Sequence, residues 1–435
     1  MNIKTGWGRC AAIAALSWVA AGAYAQGVDL GITVGAYHTD NVRRTGVDEE
    51  SQTVGEVGLR LGIERETGRF TSNVNANLAY RTFFDNAYDD DLFGGLDAML
   101  AYWFLPERFS WVVQDNYGQA MIDPRNVDTP GNQQSANYFS TGPDFRFPVG
   151  ARTSLLLSGR WSDASYEESH ADNQRMSGTV GFERQLSERS TLSLNGTAER
   201  VEYDDETAGS NFDRQSAYVG YAAEGARTNL NLRAGYTTLH DFGDTTDGPL
   251  FDVTIERRLT ERSTLTLNAG TNLTDSADAM RRDQHIGGID LDSGQSIVST
   301  DSFQSDFASV ALALEGARTS VNLAANWRVE DYERNPILNR DAFGFTADAV
   351  RRISPRLSAR LFGGWTSQDF DRSNVDFDEW NAGVGFDWAF SDRLSLTLSG
   401  EHFSGSGDSA LGAGLRDYDE NRITVNLGYT PRRRR

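Results

Sequence analysis

Apolar and polar residues alternate along most of this chain. Within residues 218–236, Leu230, Leu232, Ala234 and Tyr236 take turns with Asn229, Asn231, Arg233 and Gly235. That period of two gives an extended strand one apolar face and one strongly polar face. Tyr218 to Ala223 reads as the preceding strand, and Glu224-Gly225-Ala226-Arg227 as the tight reversal between the two. The same words return at Glu315-Gly316-Ala317-Arg318. A sister form opens strands at Ser187-Glu188-Arg189, Thr260-Glu261-Arg262 and Ser391-Asp392-Arg393. Short charged turns recurring between alternating strands spell an antiparallel meander.

The pattern runs from Leu30–Tyr37 to Arg422–Tyr429. It predicts about 20 strands of roughly 9 to 13 residues, the length that crosses a bilayer when tilted. Short turns such as Glu66-Thr67-Gly68-Arg69, Pro106-Glu107-Arg108 and Ser354-Pro355-Arg356 alternate with long loops, the longest from Ser276 to Phe303. That asymmetry belongs to outer-membrane barrels, whose short turns face the periplasm, and an even count puts both termini on that side. Tyr102, Trp103, Trp111, Trp161, Tyr236, Trp327, Trp365, Trp388 and Phe403 fall towards strand ends, as interfacial girdles do. A soluble sandwich needs apolar inner faces on two packed sheets. Here the second face is Asn, Thr, Ser, Arg and Glu. The predicted fold is all-β, a closed antiparallel transmembrane β-barrel of about 18–20 strands.

Composition places the chain. Lys4 and Arg9 precede an apolar run from Ala11 to Val19, and Ala23-Tyr24-Ala25 fits a signal-peptidase site. Residues 1–25 are therefore expected to be a cleaved signal peptide, 26–430 the barrel, and 431–435 a basic periplasmic tail. The single cysteine, Cys10, falls in the leader, which excludes a disulfide framework and cysteine chemistry in the mature chain. The formal net charge of −21 argues against a nucleic-acid partner. A mean hydropathy of −0.50 excludes a helical membrane protein but not a barrel, whose strands are only half apolar.

The polar face of each strand is expected to line the lumen. Arg60, Arg81, Arg146, Arg160, Arg233, Arg328 and Arg360 sit opposite apolar neighbours, as do Glu56, Asp97, Glu199, Asp252, Asp348, Asp387 and Glu401. Such charges are costly unless hydrated or paired. They suit a wet channel whose arginines engage sugar hydroxyls or acids, and equally a wall stiffened by interstrand ion pairs. The acidic loops 85–91, 204–206, 241–247 and 369–378 lack EF-hand spacing and read as solvated surface. No metal and no cofactor is expected. Gly-x-Ser-x-Gly, His-Glu-x-x-His, Walker and Cys-x-x-Cys motifs are absent, so no enzyme activity is expected. His170, His240, His285 and His402 near one rim leave a hidden barrel hydrolase as a minor alternative.

The densest unusual stretch is 111–143. It carries Trp111, Asp115, Asp123-Pro124, Thr129-Pro130, Asn132, Asn137 and Gly142-Pro143, turn formers that predict an ordered loop able to fold inward. In this order, and with Thr39-Asp40-Asn41 after the first strand, the sequence resembles the β-barrel porin 2 family of bacterial outer-membrane proteins. The resemblance is distinctive over residues 28–41 and 103–166. It implies an outer-membrane pore associated with exopolysaccharide or PEP-CTERM loci, working in polysaccharide export beside a short periplasmic polysaccharide-export protein. No binding residues come with it, and the family's usual count is about 18 strands. Expected partners are outer-membrane lipid, the barrel assembly machinery, that periplasmic protein and the polysaccharide itself, with the barrel a monomer. A diffusion porin for small solutes and a plugged surface scaffold stay open as alternatives. The chain also departs from barrels that end on an aromatic residue, since Tyr429 is followed by Thr430, Pro431 and four arginines.

Overall fold

A computed structural model describes residues 28–205, 209, 211–241, 243–283, 297–370, 372–373, 375–407 and 417–431. The leader expected over 1–25, most of the expected tail, Glu206 and His285 lie outside the described residues.

The first strands are β1 (Val28–Thr39), β2 (Gln52–Glu66), β3 (Phe70–Phe83), β4 (Asp91–Leu105) and β5 (Phe109–Met121). There follow β6 (Gln133–Gly150), β7 (Thr153–Tyr166), β8 (Asn173–Ser187), β9 (Ser190–Tyr203) and β10 (Phe212–Glu224). Next come β11 (Thr228–Asp241), β12 (Asp244–Thr260), β13 (Ser263–Thr274), the helix α1 (Ser276–Asp283), β14 (Phe303–Glu315) and β15 (Thr319–Tyr332). The chain continues with β16 (Arg340–Ser354), β17 (Leu357–Phe370), β18 (Val375–Ala389), β19 (Leu394–Ser406) and β20 (Tyr418–Tyr429). Each strand pairs antiparallel with the next, and β1 closes on β20 with Ile32 opposite Tyr429 and Thr39 opposite Arg422. The result is a closed 20-stranded antiparallel β-barrel with no free sheet edge.

The repeated turn words have a local cause. In each, a hydroxyl accepts the N–H two residues on: Arg189 N to Ser187 Oγ at 3.2 Å, Arg262 N to Thr260 Oγ1 at 3.1 Å, Arg393 N to Ser391 Oγ at 3.2 Å. That is the turn a Ser or Thr makes with its own backbone. The Glu-Gly-Ala-Arg-Thr form closes instead through the backbone, Gly225 N to Thr228 O and Gly316 N to Thr319 O, both at 2.7 Å. All these turns lie at the end of the barrel that holds the start of β1 and the end of β20.

Alternation sorts the side chains. Leu361 is 65% exposed, Leu194 57% and Val34 55%, all on the outer wall, far too much apolar surface for water to face unaided. Trp111, Tyr102 and Trp388 stand outward near the short turns; Trp161, Tyr236, Trp327 and Trp365 stand outward nearer the long loops. Two residues expected in the girdles are inside instead. Trp103 shares the inward face with Asp97, and Phe403 packs with Phe377 and Tyr418. Strand-end position alone does not tell a lipid-facing aromatic from a lumenal one. Parity does.

The strands run from 12 to 18 residues, longer than the alternation predicts. The extra length lies largely at the long-loop end, where Tyr37, Val54, Phe83, Phe93, Val201 and Tyr203 occupy inward positions and are buried. Their apolar side chains break the polar-in rule, which is why the periodic signal fades there.

The seam of the barrel is sewn by the opening Thr39-Asp40-Asn41. Thr39 Oγ1 donates to Glu420 at 2.7 Å, Asn421 N donates to Asp40 at 2.7 Å, and Asn41 Nδ2 donates to Asp419 O at 2.9 Å and Thr45 O at 2.7 Å. We expect Asn41→Ala to destabilise the barrel by about 1–3 kcal/mol, because carbonyls it satisfies lose their donor. Urea unfolding in lipid vesicles, followed by tryptophan emission, measures the loss.

Candidate functional site: the lumen and its mouth

The structure puts every charged candidate on the inner wall, and most of them in pairs. Arg81 donates to Glu56 at 3.1 Å, Arg146 to Glu183 at 2.7 Å, and Arg160 lies 2.8 Å from Asp144. Arg233 stands 3.4 Å from Asp252 and Arg328 3.6 Å from Glu330, while Arg360 binds Asp348. Among the other carboxylates, Glu199 holds Arg214, Asp97 accepts from Asn116 at 3.2 Å, Asp387 from Thr397 at 2.6 Å and Glu401 from Asn381 at 2.7 Å. Arg60 extends beside Gly31 on the neighbouring strand. Towards the short turns the inner face is polar and water-exposed, with Asn73, Asn75, Asn229, Asn231, Arg146 and Arg360 all open. The inner wall is both wet and braced.

The mouth at the long-loop end is different, because three elements fold into it. The β5–β6 loop carries half of the motif residues. Asp123 N donates to Asn132 Oδ1 at 3.0 Å, and Asn132 Nδ2 returns to Asp123 O at 2.9 Å and Val127 O at 3.2 Å. Pro130 opens a single turn of 3-10 helix after Thr129. So laced, the loop reaches inward, and Val127 packs on Phe377, Phe403 and Tyr418 of β18 to β20. Asp123, Pro124, Thr129, Pro130 and Asn132 thus shape an inward loop, as their turn chemistry predicts.

The remaining motif residues work in the wall. Pro143 has no N–H to give the ladder, and pairing between β6 and β7 lapses from Gly142 to Pro143. Arg160 covers the gap, donating to Gly159 O at 2.8 Å and Pro143 O at 3.2 Å. Any Cβ at Gly142 meets Gly159 O at 2.0 Å, so only glycine fits there. Trp111 Nε1 donates to Thr141 on the outer face at 2.8 Å. Asp115 and Asn137 share that outer parity rather than lining the lumen.

The β1–β2 loop inserts Arg44. It donates to Glu420 at 2.9 Å and to Asp128 O of the β5–β6 loop at 2.8 Å, and lies 4.6 Å from the Phe403 ring centre. Burial works against its charge, but Glu379, Tyr418 and Glu420 around it hold its pKa well above the arginine value. It is a permanent cation that ties two mouth loops to the wall.

The third element is α1, which sequence reasoning missed. Its cue was present: Ala277 and Met280 at helical spacing, with Ser276 and Asp278 in the first turn. Ala277 and Met280 pack on Ala120, Ala136, Tyr138, Ala164 and Tyr166 of β5 to β7. Ala279 meets the group formed by Ile297, Phe303, Tyr332, Phe370 and Val375. The helix therefore bridges two parts of the inner wall. Asp275, just before it, forms a two-pronged pair with Arg175 at 2.5 and 3.0 Å and a third contact with Arg214 at 3.2 Å. Burial pushes the Asp275 carboxyl up, but the two guanidiniums outweigh it and hold the group below the usual carboxylate range. His240 Nδ1 contacts Thr245 and His402 Nδ1 contacts Asn421, and among the described residues no cluster of His, Asp or Glu is arranged to hold a metal.

No protein-family model matches the chain, and no curated protein matches it. Among solved structures it is similar to OccK2 (OpdF) of Pseudomonas aeruginosa in complex with glucuronate, with 11% identity and a TM-score of 0.38, covering 94% of this chain and 99% of that one. It is also similar to the siderophore receptor PirA of the same organism (10% identity, TM-score 0.42, 93% and 81% covered). A mutant of the ferric enterobactin receptor PfeA, also from that organism, gives 10% identity, a TM-score of 0.45, and coverage of 94% and 81%. At this level the likeness carries no argument about cargo or partners.

Two outcomes follow from the Asp275 cluster. Asp275→Asn leaves Arg175 buried without its counter-charge, a loss of about 3–5 kcal/mol in the docking of α1. Tryptic cleavage at Arg281 should accelerate at least about a hundredfold, at 1.4 kcal/mol per tenfold. Because the folded Asp275 pKa is depressed, the tie is complete above the ordinary carboxylate value of about 3.9 and fails only as pH falls through the lower folded value. Protection of Arg281 in the native barrel, read by hydrogen exchange across α1, should be the same at pH 5 and pH 7.

Proposed function

We propose that the chain forms a passive outer-membrane pore and that its cargo is an exported polysaccharide. One observation carries the pore reading: a closed barrel, apolar and aromatic outside, encloses an inner wall of hydrated, mutually paired polar groups. In hydrocarbon only a closed barrel satisfies every backbone group of a sheet, and a polar interior serves no purpose unless water or a polar solute enters. An even strand count, short turns at the end that holds both termini and, apart from the two-residue β11–β12 connection, longer loops at the other support an outer-membrane setting with the turns in the periplasm. The polysaccharide comes from the resemblance of residues 28–41 and 103–166 to the β-barrel porin 2 family, together with a hydroxyl-rich inner wall. A periplasmic polysaccharide-export protein is then the partner expected at the short-turn end.

The folded mouth favours a second reading. Under α1, along the inner wall from β5 to β13, lies a cavity of about 370 Å³. A volume of that size suits a small solute. A deletion strain separates the two. Loss of secreted polysaccharide with unchanged small-solute uptake supports export; the reverse assigns the pore to small solutes. Purified protein in planar bilayers tests the pore itself, with discrete ion conductance expected and an electrically silent barrel counting against both readings.

A further inference from the structure

A row of hydroxyls crosses the inner wall beneath α1. Ser158, Thr179, Thr197, Ser216 and Thr237 lie directly opposite one another on β7 to β11. Thr179 and Thr197 touch at 3.0 Å, and Ser216 and Thr237 at 2.9 Å. Strands in a closed barrel tilt, so a row running straight across the ladder climbs along the barrel axis. The hydroxyls form a slanted track, not a ring. All five line the cavity of about 370 Å³, as do Asp278 and Arg281 of α1.

The charges along this cavity are spoken for. Arg160 holds Asp144, Arg214 holds Glu199, Arg233 holds Asp252 and Arg281 holds Asp278. An anionic ligand has to compete with those carboxylates, whereas a neutral one can bond to either member of a pair without upsetting the charge balance. Ser and Thr hydroxyls both donate and accept, which matches the donor–acceptor character of a sugar hydroxyl. Tyr138 and Tyr218 add flat amphipathic surface to the lining. A separate observation points to a ligand donor. Asn272 lines the same cavity, is 7% exposed, and its buried Oδ1 accepts no hydrogen bond among the described residues. A buried acceptor left unmet is costly, and a turn of the Asn272 amide toward the cavity lets a ligand hydroxyl supply what it lacks.

We propose that this cavity is a binding site for a neutral oligosaccharide, held by the Ser/Thr track and by Asn272. Its volume lies within the ~300–1,000 Å³ range of small-molecule sites. The proposal rests on the pore reading only in making the site a station for cargo in the lumen.

Intact barrel in detergent micelles, titrated calorimetrically with maltotriose, cellotriose and trigalacturonate, tests it. At least one neutral trisaccharide should bind saturably, and trigalacturonate at least about tenfold more weakly. Thr197→Val replaces a hydroxyl with a methyl of the same shape, and Asn272→Ala removes the unmet acceptor. Each should weaken neutral-sugar binding by about tenfold while leaving the heat-modifiable migration of the folded barrel unchanged. Failure of both neutral sugars to bind, tighter binding of the anion, or unchanged affinity in both variants overturns the proposal. Conductance of the same preparation in planar bilayers keeps the two readings apart. A conducting barrel that binds no sugar removes the site and leaves the pore, and a silent barrel that binds sugar does the opposite.

Discussion

Closure of β1 on β20 is the constraint on which the rest of this structure depends. In hydrocarbon an unpaired N–H or carbonyl has no water to turn to, so a sheet survives only when its last strand returns to its first. The backbone ladder between Ile32–Thr39 and Arg422–Tyr429 does this, and side chains reinforce it where the strands leave the membrane. Thr39, Asp40 and Asn41 grip Glu420, Asn421 and the Asp419 carbonyl, so the short motif after the first strand works as the fastening of the cylinder. Once the sheet is closed, each strand has two environments, lipid and lumen, and period-two alternation sorts every residue between them.

Inside the cylinder the physical problem changes along the axis. Near the short turns the inner face is exposed Asn, Arg and Glu, and charge is handled by solvent exposure and by cross-strand pairing such as Arg146 with Glu183. Near the long loops the inner face turns aromatic and apolar, and loops that fold inward bury it. The mouth therefore has a small water-excluding core of its own, built from Phe303, Tyr332 and Phe370 on one side and Tyr138, Tyr166 and Met280 on another. Buried ion pairs give little net stability but penalise any arrangement that leaves one partner alone. Asp275 between Arg175 and Arg214, and Arg44 between Glu379 and Glu420, thus specify where α1 and the first loop dock rather than how stable the barrel is.

Much of the stretch 111–143 has an architectural explanation. Asn132 laces the inward loop, Pro143 leaves a hole in the ladder, and Arg160 fills that hole from the lumen. An arginine that sequence reading offers equally to cargo and to an interstrand ion pair is thereby also a backbone clamp. Most lumenal charges share this double character, since the groups that face the water are the groups that brace the wall.

Much of this was legible in the chain. Alternation at Leu230–Tyr236, turn words such as Ser187-Glu188-Arg189, and the contrast of short and long connections determined an even-stranded closed barrel and placed each charged candidate on its inner face. Those signals are local: they arise from side-chain direction in a pleated strand and from hydroxyl–backbone bonds within a turn. The inward parity of Trp103 and Phe403, shared with Asp97 and Glu401, was readable in the chain too, but tertiary structure alone packed Phe403 against Phe377 and Tyr418 in the mouth. It alone brought Asp275 to Arg175 and Arg214, and aligned five hydroxyls from five strands into one track. These depend on register and on contacts between residues far apart in the chain, and a period of two is the same whichever neighbour a strand meets.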